Sequence, residues 1–288
     1  MIYALCLASL ALASLALAAD GIPAGKSRID LEFDRRPVEL FCYKPADYHA
    51  GPLLMVFHGV LRNGEEYRDH AQGMADRFKA IVVAPRFSEH EFPLDHYQMG
   101  GILADGKLRP QASWTGHLIP KIVAEIRQRE KRPELPYYLI GHSGGGQFLI
   151  RLAAFVPTEA KRIVVANAGT LVFPSRDHFF PFGFGGLPAE ASNDEAIKRY
   201  LAQPVTLYQG QDDIIRDEYF QTPPSAERQG KTRYERGKNL FATAKGLAES
   251  RGWPFGWKLV ELPEVGHDHE LMFGNAKVAE ALGLAETK

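Results

Sequence analysis

Short apolar runs alternate with amphipathic stretches along most of this 288-residue chain. Leu53-Leu54-Met55-Val56-Phe57 and Ile81-Val82-Val83-Ala84, the second stopped by Pro85, are continuous apolar runs suited to strands covered on both faces. Between them, Glu65 to Lys79 predicts a helix. Leu118 to Arg129 places Leu118, Ile119, Ile122, Val123 and Ile126 on one stripe, which is the spacing of an amphipathic helix. Tyr137 to Ile140 predicts a strand, Gly145 to Phe155 a helix and Arg162 to Ala166 a further strand. Val205 to Tyr208 and Trp257 to Leu262 add two more. A helix from Arg233 to Arg251 separates them, and Leu271 to Leu284 closes the chain as a helix. This alternation implies an α/β fold with a mostly parallel central sheet flanked by helices on both faces.

The alternation lapses from Gly169 to Gln203, after the sixth strand, where Phe173, Phe179, Phe180, Phe182 and Phe184 gather. Long irregular insertions are more often functional than filler. Two readings stay open: a partial lid over a site, or aromatics filling a small satellite core.

Composition narrows the classes without choosing among them. With 45% hydrophobic residues and a net charge of -1, the chain can build one large α/β domain, read here as residues 19–288. Its basic residues are scattered among acidic ones, so nothing marks a nucleic-acid partner or an anionic membrane surface. Met1 to Ala19 carries no charged side chain and reads as a secretory signal peptide over residues 1–18, cut after Ala18 or Ala19. That predicts an exported protein without stable membrane association after cleavage. An N-terminal anchor is the alternative, although the stretch is near the lower end of the ~17–25 residues a spanning helix needs. Cys6 falls inside the signal, so Cys42 alone would remain, as a small buried strand residue.

The candidate chemistry centres on Gly141-His142-Ser143-Gly144-Gly145, set between the strand at Tyr137 and the following helix. A strand, a sharp turn and a helix are the context in which a serine hydroxyl is lifted clear of a sheet, with small residues required two before and two after it. Such a serine needs an imidazole base and a carboxylate to orient that base. Both follow in chain order: Asp212 and Asp213 in the turn after Val205 to Tyr208, then His267 and His269 after the last strand. An oxyanion site would take one amide from Gly144. The other would come from the loop Phe57-His58-Gly59-Val60, through Val60 or, failing that, Gly59. His58, His142, Phe173, Phe180 and Phe182 are candidates for substrate contact.

His267-Asp268-His269-Glu270 offers metal-ligand types in a row, yet an i, i+2 pair does not match the helical spacing of His-Glu-x-x-His. Gly144-Gly145-Gly146 is not followed by Lys-Ser/Thr, so a phosphate loop is excluded. The expected chemistry calls for no metal and no cofactor.

On the four pieces Phe57-His58-Gly59-Val60, Gly141 to Gly145, Gly210-Gln211-Asp212-Asp213 and Val265-Gly266-His267, the chain resembles the α/β-hydrolase superfamily from about Leu40 onward. Within it, His58-Gly59 and the run from Ala75-Asp76-Arg77 to Val82-Val83-Ala84-Pro85 are similar to exported bacterial esterases related to polyhydroxybutyrate depolymerases and feruloyl esterases. The resemblance favours Asp213 over Asp212, through the usual Gly-x-x-Asp placement, and His267 over His269. It implies a serine hydrolase acting on a small-molecule or polymeric carboxylic ester, with a peptidase or amidase, or an inactive binding protein on the same scaffold, as alternatives. The chain departs from typical members in lacking disulfide cysteines and in its Phe-rich insertion.

Overall fold

The computed structural model describes residues 21–285; the segment read as a signal peptide lies outside them. Eight strands form one sheet: β1 Gly25–Phe33, β2 Arg36–Lys44, β3 Leu53–Phe57, β4 Ile81–Arg86, β5 Tyr137–His142, β6 Ile163–Ala166, β7 Val205–Gly210 and β8 Lys258–Leu262. Their order is β1-β2-β4-β3-β5-β6-β7-β8. β1 pairs antiparallel with β2, and β2 with β4; every later pair is parallel. The apolar runs explain the centre of this sheet, since β3 and β6 are buried at every position. Cys42 is buried in β2, and burial pushes its thiol up to about 12.

The helices are α1 Gly64–His70, α2 Gln72–Phe78, α3 Leu118–Arg129, α4 Gly144–Phe155, α5 Asp194–Ala202, α6 Arg233–Arg251, α7 His269–Gly274 and α8 Val278–Leu282, with only shorter turns besides. Two expected helices are divided. The first breaks at Ala71, with φ -88 and ψ -4, and the last at Asn275, whose extended backbone (ψ 142) ends α7. On one face of the sheet α3 and α4 cover Met55, Phe57 and Leu139; on the other, α1, α2, α7 and α8 cover Leu54, Val56 and Ile140.

The Phe-rich segment lies on the outer side of α4. Phe184 is fully buried, with ring centroids 5.2 Å from Phe155 and 5.7 Å from Tyr200, and Phe180 meets Phe155 at 5.8 Å. Beneath them Arg151 is fully buried without a carboxylate; its guanidinium donates to the carbonyls of Gln147 and Pro181 at 2.9 Å and to Thr170 Oγ1 at 3.1 Å. Burial lowers that guanidinium to about 9. Covered on both sides, α4 is buried from Gly144 to Ala154. Among the described residues, no helix is long and apolar enough to cross a membrane.

Candidate active site

The parallel register sets the site. Phe57 pairs with Gly141 across β3 and β5, so the loop after β3 and the turn after β5 leave the sheet side by side. Leu262 pairs with Gly210 across β8 and β7, which brings the acid turn and the histidine loop out together. The candidate residues, far apart in sequence, therefore meet at one edge of the sheet.

Ser143 sits at the N-terminus of α4 with φ 54 and ψ -114, a conformation that costs a non-glycine residue about 1–3 kcal/mol. Its neighbours hold it there: the Ser143 amide donates to Ala166 O at 3.0 Å, and its carbonyl accepts from Gln147 N at 3.0 Å. The turn is tight enough to exclude side chains. A Cβ on Gly141 would lie 2.5 Å from Gly145 O, and one on Gly145 only 2.2 Å from Phe57 O.

His267 Nδ1 lies 2.8 Å from Asp213 Oδ2. Asp213 is buried, whereas Asp212 is exposed and bonds Val265 O through its backbone amide at 3.0 Å. The structure therefore separates both pairs of sequence candidates. His269 turns away from the acid: its ring stacks on Tyr67 with centroids 3.9 Å apart and planes 4° apart. Two residues that sequence reasoning passed over hold the pair. Arg233 Nη1 approaches Asp213 Oδ1 at 3.5 Å while its Nη2 donates to Asp217 Oδ1 at 2.7 Å. Asn167, at the end of β6, accepts from Gly210 N at 2.9 Å and donates to Gly266 O at 2.8 Å, tying the acid strand to the loop before His267.

Gly144 packs against the loop after β3, since a Cβ there would lie 3.3 Å from Val60 N and from the Gly59 carbonyl carbon. Among the described residues no protein acceptor takes the Val60 or the Gly144 amide. His58 shapes this loop from beneath. Its Nε2 accepts from Phe87 N at 3.0 Å, so Nδ1 carries the hydrogen and donates to Gly59 O at 2.9 Å, and its carbonyl accepts from the Tyr97 hydroxyl at 2.8 Å. Complete burial lowers the His58 imidazole to about 3, so it stays neutral.

Ser143, His142, Gly59, Val60 and His267 line one cavity of about 320 Å³, with Leu61, Asn63, Glu66, Tyr67, Asp217, Glu218, Tyr219 and His269 completing its wall. His142 is buried, its Nδ1 3.1 Å from the Tyr67 hydroxyl and its ring 4.5 Å from that of His267. Burial, then the neighbouring histidines, hold it well below the usual histidine range. The remaining expected contacts need correction. His58 lies under the loop instead of on the cavity wall, because both ring nitrogens serve the backbone. Phe173, Phe180 and Phe182 do not line the cavity either; Phe173 is buried against His178 at 4.7 Å, Phe180 packs on Phe155, and Phe173 and Phe184 are continuous with the main core around α4. The sequence sign of this was weak: α4 is apolar around most of its surface, with only Gln147 and Arg151 interrupting it.

Known proteins share this fold. The chain is similar to LpqC, a poly(3-hydroxybutyrate) depolymerase from Bordetella parapertussis, with 34% identity over 92% of this chain and 93% of that one and a TM-score of 0.83. It is similar to poly(aspartic acid) hydrolase-1 from Sphingomonas sp. KT-1, with 27% identity over 91% and 99% of the two chains and a TM-score of 0.83. Siderophore hydrolase EstB from Aspergillus nidulans shares the fold alone, with 13% identity over 94% and 99% and a TM-score of 0.56. No protein-family profile and no curated protein sequence matches. The chain belongs to the α/β-hydrolase superfamily. Its general activity is that of a hydrolase.

Proposed function

We propose that this protein is an exported serine hydrolase that cleaves carboxylic esters through an acyl-enzyme intermediate. Ser143 Oγ attacks the ester carbonyl carbon while His267 Nε2 takes the hydroxyl proton. Asp213 keeps the hydrogen of His267 on Nδ1 and stabilises the imidazolium. The Val60 and Gly144 amides donate to the oxyanion that develops on the carbonyl oxygen. On collapse the alkoxide leaves with the proton from His267. Water, deprotonated by the same imidazole, then hydrolyses the acyl-serine, and Ser143 recovers its proton. The observation that carries this reading is the 2.8 Å contact of His267 Nδ1 with buried Asp213, on the wall of the cavity that holds Ser143 at φ 54.

Amide hydrolysis is the second reading, and the likeness to a poly(aspartic acid) hydrolase favours it. Charge on the cavity wall opposes a polyanionic substrate: Glu66, Asp217 and Glu218 line it, and no Lys or Arg does. A neutral ester meets no such repulsion. Purified protein assayed on short p-nitrophenyl esters and on aminoacyl anilides separates the two, with Ser143→Ala as the control. The ester reading expects faster ester turnover, lost by several orders of magnitude in Ser143→Ala; faster anilide turnover would overturn it.

A further inference from the structure

Beside the serine cavity, three side chains without a part in the proposed hydrolysis converge from two elements. Glu66 and His70 stand four residues apart on one face of α1, and His269 opens α7. His70 Nδ1 lies 2.9 Å from His269 Nε2, and Glu66 Oε1 lies 3.7 Å from that same His269 nitrogen. One ligand atom from each of the three lies within 4.8 Å of the others. We propose that Glu66, His70 and His269 bind a Zn²⁺ ion that clamps α1 to the segment following His267.

With Zn–N bonds of about 2.0–2.1 Å, tetrahedral ligand atoms stand roughly 3.3 Å apart, so the imidazole nitrogens open by about 0.4 Å, Glu66 closes on His269 by about 0.4 Å, and Glu66 and His70, within 4.8 Å of each other, close by up to about 1.5 Å, a movement that the exposed Glu66 side chain can make. A fourth position remains for water. The surrounding groups already orient each ligand. Asn63 Nδ2 donates to Glu66 Oε2 at 2.9 Å, which leaves Oε1 for the metal. Glu270 Oε2 lies 3.6 Å from His70 Nε2, and a hydrogen held on Nε2 toward that carboxylate would leave the Nδ1 lone pair for the metal. In that tautomer the hydrogen between the two rings belongs to His269 Nε2. It shifts to Nδ1 of the same ring when the metal binds, so no proton is gained or lost. Stacking on Tyr67 fixes the plane of His269.

A donor set of two imidazoles and one carboxylate suits Zn²⁺ and does not suit Mg²⁺ or Ca²⁺, which take oxygen ligands. Access is open: Glu66 and His70 line a surface hollow of about 500 Å³, and Glu66 and His269 line the serine cavity.

The test is titration of the metal-stripped full-length chain with Zn²⁺ by calorimetry, and with Co²⁺ by visible absorption, neither of which depends on hydrolysis. One ion per chain is expected, with a tetrahedral Co²⁺ spectrum and a thermal midpoint that rises on Zn²⁺ addition. Glu66→Gln, His70→Gln and His269→Gln should each weaken Zn²⁺ binding by about tenfold or more, each variant first matched to the parent by circular dichroism. His267→Ala should bind as the parent does. No binding at micromolar Zn²⁺, or affinity that survives His70→Gln, would overturn the proposal. So would loss of binding on His267→Ala alone, which would place the ion on the Asp213–His267 pair.

Discussion

His267 is held by contacts that reach it from separate elements. Asp213 fixes Nδ1 at 2.8 Å, the ring of His142 faces it at 4.5 Å, and Asn167 anchors Gly266 just before it. Asp213→Asn should leave this geometry in place but favour the wrong imidazole tautomer, lowering kcat by about 10⁴-fold with little change in KM, as steady-state kinetics on a short p-nitrophenyl ester would read. His58 yields a different prediction, because its folded-state pKa of about 3 lies below the ordinary histidine value of 6.5. Between these limits the unfolded chain binds a proton that the folded chain does not. Stability linked to His58 is therefore intact above about pH 6.5 and is lost as pH falls toward 3, by several kcal/mol at most. Urea midpoints should drop between pH 7 and pH 4, and the drop should be shallower in His58→Gln. Ser143, Asp213 and His267 were legible because each lies just past an apolar run and they follow one another in a set order. Tyr67, Asn167 and Arg233 were not, since nothing in their own neighbourhoods refers to the distant segments they contact.

Among the elements, the turn from β5 into α4 tolerates little change. Gly145→Ala would drive a Cβ to 2.2 Å from Phe57 O, so the strand or the turn must move. A destabilisation of about 1–3 kcal/mol by chemical denaturation, together with loss of ester turnover, is the expected result. The Phe-rich segment should behave in the opposite way. Phe184→Ala removes a fully buried ring and should cost about 3–5 kcal/mol of stability. Phe180→Ala should leave the ratio of kcat/KM between acetyl and octanoyl esters unchanged, because Phe180 packs on Phe155 outside the serine cavity. A shifted acyl-chain preference would restore the lid. Sequence could not decide between a lid and packing on the core: an aromatic cluster has the same local pattern over a ligand and over a helix, and only the position of α4 beneath it shows that Phe173 and Phe184 extend the main core.

For the molecule as a whole, the strand order brings four loops to one edge of the sheet; the strands that carry those loops were readable in the sequence, and their order was not. Apolar runs announced β3, β4, β5 and β6 because a strand covered on both faces buries side chains on both sides, and β7 was readable from Val205, Leu207 and Tyr208 although it also buries Thr206 and Gln209. β1 was harder to see, since its residues alternate between half-buried and exposed and its partner β2 supplies the pairing. The central claim is that this edge works as one machine, with Ser143 as nucleophile and His267 as its base. Labelling the intact protein with a tagged fluorophosphonate and locating the adduct by peptide mass mapping tests it most directly. The adduct should fall on Ser143 and form at least about a thousandfold more slowly in His267→Ala. An adduct on another residue, or undiminished labelling of His267→Ala, would contradict it.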